Sequence, residues 1–279
     1  MKKILILLIC VFIMLPVFAK TDKNSVAYLK EKKHLSLMNP VVEKIAEKAI
    51  KKSLKKEFKG SYKVDFDGYT LGSMRAGIFK NFVVKGKNLE IDEIEIPYLK
   101  LTSVTDYNWI DYKAEPMVYK SDMTFLYEMD LTEDSINSAL KHKSYKKKIE
   151  KINNIAYPLF TLYETRVKVK NNKLYIIMEY NLPLASFKRN KTFIVSTSLK
   201  VENNKIYANN VNIDKSYGNL SLNKVTNLIN LLDPLTFTLS LIESKDCQGR
   251  VDSVTIMDDI IKINGRINIK KNDLQKESK

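Results

Sequence analysis

The chain has 279 residues, 44% hydrophobic and 28% charged, with only 8 glycines and 7 prolines. That balance excludes collagen, low-complexity disorder and a polytopic membrane protein, and the length suits one large domain or two small ones. Two cysteines and two histidines exclude a disulfide scaffold and leave little for a zinc site. The net charge of +15 invites a nucleic-acid reading, but the excess is nearly all lysine, with five arginines. Arginine is the residue suited to bidentate phosphate and base recognition, so no nucleic-acid partner is expected.

The first element is a leader. Met1-Lys2-Lys3 precedes an apolar run from Ile4 to Leu15, and Val17-Phe18-Ala19 supplies a small residue for processing. This predicts a secretory signal over residues 1–19, because a membrane span needs roughly 20 apolar residues. Cys10 follows Ile9 early in the run, which argues against lipidation. The protein is expected to be exported, with a mature N-terminus at Lys20 and one remaining cysteine, Cys247, that has no intramolecular partner. A retained anchor is the alternative.

Residues 20–38 read as a polar, lysine-rich spacer, and residues 39–269 as one α+β domain followed by a charged tail over 270–279. Asn39 as N-cap and Pro40 at the first helical position open a helix of about 18 residues. Val42, Ile45, Ala49 and Ser53 form its apolar stripe, widened by Val41, Ala46, Ile50 and Leu54. Lys51, Lys52, Lys55 and Lys56 gather at its C-terminal end, where cations suit the helix dipole.

A β-rich stretch follows. Tyr62, Val64 and Phe66 alternate up to Asp67-Gly68, a two-residue hairpin signal, and Gly86-Lys87-Asn88 reads as a turn. Tyr119 to Met129 is a long strand with Phe125 on its apolar face. Thr132 opens a helix with acids in its first turn, and a basic helix spans about Ser144 to Asn153. Val167 to Tyr175 is echoed by Leu199 to Tyr207, each reading as strand, Asn-Asn turn and return strand. A helix carrying Leu222, Val225, Leu228, Ile229 and Leu232 ends near Asp233-Pro234. Leu235, Phe237, Leu239 and Leu241 then alternate as a strand, and a last hairpin turns at Asp258-Asp259.

Chemistry is scarce. His34 and His142 have no acid or cysteine at ligand spacing, and Asp65 with Asp67 lacks the further ligands of a calcium loop. There is no phosphate-binding glycine loop, nucleophile elbow or zinc motif. The expectation is a protein that is not an enzyme and needs neither cofactor nor metal.

Three segments carry a family resemblance: Gly72 to Leu101, Leu131 to Leu140, and Val254 to Gly265. Their order and spacing resemble the LmeA-like phospholipid-binding family of exported bacterial proteins. The resemblance implies an antiparallel β-meander sheet curled around the long amphipathic helix, similar to tubular lipid-binding domains. It further implies an acyl-lipid ligand. On that basis Ile45 and Ala49 on the helix are expected to face Phe125, Phe193 and Phe237 on strands, with lipid between them. Lys51, Lys52, Lys55 and Lys56 are expected to dock on an anionic membrane surface. The alternative is an envelope structural or interaction protein with the same fold and a filled core.

Overall fold

A computed structural model describes residues 39–91, 94–111, 114, 118–157, 160–182, 191–215, 222–242 and 248–272. The expected leader, the spacer with His34, Cys247 and all but the first three residues of the tail lie outside the described residues.

The architecture is α+β with mostly antiparallel sheets. Helix α1 (Asn39–Glu57) buries Val42, Ala46, Ile50 and Leu54 and packs against strand β1 (Lys59–Asp67). Its buried face is turned slightly from the expected stripe. Ile45 is 53% exposed and Ala49 only half-buried, because the i, i+4 row through Ala46 and Ile50 meets the sheet instead.

Beyond β1, Asp67-Gly68 is not a two-residue hairpin. Thr70 and Ser73 form a reciprocal capping box that opens the short helix α2 (Leu71–Arg75), ahead of β2 (Ile78–Phe79). β1 then pairs with β3 (Asn81–Ile91). Gly86-Lys87-Asn88 is likewise no turn. It lies inside β3, where Asn88, at φ 50°, marks a bulge opposite Gly60.

β3 continues into β4 (Ile94–Ser103). After β5 (Asn108–Asp111) and β6 (Val118–Tyr119), which form a small sheet with β2, comes β7 (Met123–Thr132). Helices α3 (Glu133–Lys141) and α4 (Lys143–Ala156) precede two consecutive hairpins, β8 (Thr161–Lys170) with β9 (Lys173–Asn181), and β10 (Lys191–Glu202) with β11 (Lys205–Lys215). Asn171, Asn172, Asn203 and Asn204 all have positive φ, as tight hairpin turns between twisted strands require.

Next come α5 (Leu222–Leu232) and α6 (Pro234–Ile242), then β12 (Gln248–Met257) and β13 (Ile260–Ile269). The segment from Leu235, expected as a strand, is helix α6. Asp233 Oδ1 accepts from the Thr236 backbone N–H at 3.2 Å, and Pro234 occupies the first turn, so local capping overrides the alternation. Phe237 is therefore on a helix.

The strands do not form one meander. A six-stranded sheet has the order β1-β3-β4-β7-β13-β12 and a four-stranded sheet the order β11-β10-β9-β8. The edge strand β12 passes beside β10, where the Val251 N–H donates to the Asn204 carbonyl at 3.3 Å. Helix α3 packs against β4, β8 and α6, and one hydrophobic cluster runs through both sheets. Among the described residues, no helix is long and apolar enough to cross a membrane.

Candidate functional site

The expected lining residues do not converge. Phe125 is fully buried in a ring series, Phe66 to Phe79 at 5.8 Å, Phe79 to Phe82 at 5.6 Å and Phe82 to Phe125 at 5.4 Å. These tilted rings fill the apolar side of the six-stranded sheet with protein atoms. Phe193 is buried on β10 of the other sheet, and Phe237 packs on Tyr145 of α4 at 4.9 Å. Ile45 faces outward. Lys51, Lys52, Lys55 and Lys56 are all exposed. Lys148 is not exposed. Its Nζ donates to the Leu232 carbonyl at 3.0 Å, closing the C-terminal end of α5.

A groove of about 830 Å³ opens instead between α3, α4 and β8. That lies within the size range of small-molecule sites, roughly 300–1,000 Å³. Its geometry follows from how the two helices cover a sheet edge. β8 is the last strand of its sheet, so one side of its backbone has no strand partner.

Side chains stand in for that strand. Asn137 of α3 donates to the Val167 carbonyl at 3.0 Å and accepts from its N–H at 2.8 Å. Asn153 of α4 makes the same pair with Leu162, at 2.8 and 2.7 Å. Glu133 accepts from the Val169 N–H at 3.1 Å. The helices, joined at His142, thus form an arch pinned at both ends, and the groove lies beneath it.

Leu140, Ile149 and Leu162 give the groove apolar walls, with Lys141 and Lys146 among its charged lining. Tyr145 and Thr165 also line it, and their buried hydroxyls lie beside one another with no further hydrogen-bond partner among the described residues. Burial raises the Tyr145 pKa well above its usual value, the Thr165 hydroxyl pulls it down and the Asp233 carboxylate pushes it up. The phenol is therefore protonated at any physiological pH.

Behind the groove, Asp233 sits at the α5–α6 break with φ 37°. Its pKa is raised and that of Lys148 lowered, in each case chiefly by burial, which outweighs their mutual attraction. A second void of about 20 Å³ beside Asp233 has room for no more than a water molecule.

Among the described residues no group of three or more His, Cys, Asp or Glu could hold a metal ion. Tyr145 and Thr165 escaped the sequence reading. The apolar series Tyr145, Ile149 and Ile152 was the available signal, obscured by the lysines between them.

The fold is thus that of an α+β protein built on antiparallel sheets, with a polar-floored groove beside one sheet edge. No protein-family model matches the chain, and neither a curated protein nor a solved structure does.

Proposed function

We propose that this is an exported, non-catalytic lipid-binding protein of the cell envelope, holding an amphiphile in the α3–α4–β8 groove. The carrying observation is the groove itself, about 830 Å³, with Leu140, Ile149 and Leu162 in its walls and polar side chains, Tyr145 and Thr165 among them, in its lining. The protonated phenol is a donor suited to an acceptor such as an ester carbonyl. Leu140, Ile149 and Leu162 suit the adjoining hydrocarbon, at about 0.8 kcal/mol for each buried methylene. The resemblance to the LmeA-like family, and the tubular lipid-binding arrangement it implies, belong to this proposal. So do the export signal and an anionic membrane surface as partner.

Titration with a fluorescent phosphatidylglycerol tests it, alongside native mass spectrometry of protein from its own host. Saturable one-to-one binding is expected, weakened about fivefold to tenfold by Tyr145→Phe or Thr165→Val, the worth of one hydrogen bond. Each substitution should lower stability by no more than about 1 kcal/mol, since neither hydroxyl has a partner beyond the other. Absence of binding, or binding indifferent to both changes, would overturn the groove assignment. The second reading, an interaction protein with a filled core, is favoured by the Phe66-Phe79-Phe82-Phe125 series. It predicts no lipid in either measurement.

A further inference from the structure

We infer that the outer side of α4 and the turn after it form a docking surface for an anionic lipid bilayer. Lys143, Lys147, Lys151 and Ile155 follow one another at four-residue spacing, and all four are exposed. In a helix that spacing places them along one side. The stripe therefore runs from cations at the N-terminal end to an apolar tip. Ile155 is 87% exposed there, with Tyr157 at 69% and Tyr163 at 52%.

Asn153 holds the Leu162 backbone, and the Tyr157 N–H donates to the Asn153 carbonyl at 2.8 Å, which ties both Tyr157 and the start of β8 to the end of α4. Tyr163, next to buried Leu162 at a break in the β8–β9 register, is exposed and borders the groove. Lysines beside exposed tyrosine and isoleucine are the composition of an interfacial helix: the apolar tip enters the headgroup boundary while the cations meet lipid phosphates. An anionic bilayer satisfies both at once. Helix α1 also combines exposed lysines with exposed Val41 and Ile45. There Lys44 and Lys48 stand beside the apolar pair, while Lys51 to Lys56 lie at the far end of the helix.

Lys143, Lys147, Lys151, Ile155 and Tyr157 lie outside the groove lining, which Tyr163 borders. Flotation should show the full chain on vesicles containing 30% phosphatidylglycerol and not on pure phosphatidylcholine. Binding should fall steeply toward 1 M salt, as the Debye length shrinks from about 8 Å to about 3 Å. Changing Lys143, Lys147 and Lys151 together to Gln should weaken partitioning on the order of a hundredfold, at about fivefold for each lysine. The same change at Lys51, Lys52, Lys55 and Lys56 should have little effect.

Tyr157→Trp reads insertion as the emission added to that of Trp109, with a blue shift of that added emission expected only on anionic vesicles. Tyr145→Phe should leave flotation unchanged, which separates failure of the groove from failure of this surface. Equal binding to neutral vesicles would overturn the inference, as would loss on the α1 substitutions alone. An unshifted Tyr157→Trp emission in the vesicle-bound protein would also do so. So would an oligomer, measured by sedimentation, that the α4 substitutions dissolve without altering flotation.

Discussion

The six-stranded sheet and the β8 edge solve the same problem in opposite ways. On the sheet, Phe66, Phe79, Phe82 and Phe125 meet ring to ring at 5.4–5.8 Å and leave their neighbours fully packed. At the edge, Asn137, Asn153 and Glu133 supply backbone partners one at a time, and the arch they support leaves a groove open beneath it. Packing rings excludes a ligand. Discrete polar pins admit one. The difference teaches that the binding capacity of this chain lies where a sheet ends, not where its apolar surface is greatest.

The comparison breaks first at Phe125. Phe125→Ala should cost about 3–5 kcal/mol of stability, the range for truncating a fully buried aromatic, with no selective effect on lipid binding. A loss under 1 kcal/mol in a denaturant titration would show that the ring fills nothing essential. Asn137→Ala and Asn153→Ala should each cost about 1–3 kcal/mol, because each leaves a strand N–H and carbonyl without a partner. Hydrogen exchange sharpens that test. The Val167 amide should lose protection in the first variant and the Leu162 amide in the second, while β9 keeps its own.

The smallest effect concerns acid. Asp233 has its folded pKa raised above 3.8 by burial, so its neutral form is favoured on folding. Its contribution to stability is full below the unfolded value and is lost as pH rises through the folded one. Asp233→Asn keeps the N-cap to Thr236 and carries no charge. The variant should match the parent near pH 3.5 and exceed it at pH 7, measured as denaturation midpoints.

Much of the scaffold was legible in the sequence, because local signals decided it. The Asn171-Asn172 and Asn203-Asn204 turns need positive φ, which asparagine tolerates, and Thr132 with acids behind it can only begin a helix comfortably. Errors arose where two local codes compete. Leu235, Phe237 and Leu239 alternate like a strand, yet one carboxylate on Asp233 and the ring of Pro234 commit them to a helix. Asp67-Gly68 resembles a hairpin, but the Thr70–Ser73 capping box acts a few residues later. The groove was illegible for a different reason. Asn137 and Asn153 acquire meaning only opposite Val167 and Leu162, and sequence spacing does not encode which strand becomes an edge.

The strand order also sets a timetable. β8 to β11 pair with their neighbours in sequence, so that sheet can close from short-range contacts as soon as its four strands exist. The larger sheet cannot. β7 pairs with β13, matching Thr132 to Ile260 and Met123 to Ile269, in the last hairpin among the described residues. Until that hairpin docks, β7 presents an open row of backbone donors and acceptors flanked by Phe125, Tyr127 and Met129. Such a row is a template for a second molecule as readily as for β13. Residues 248–269 therefore act as a latch, and a chain released before them would be sticky while its smaller sheet was already finished.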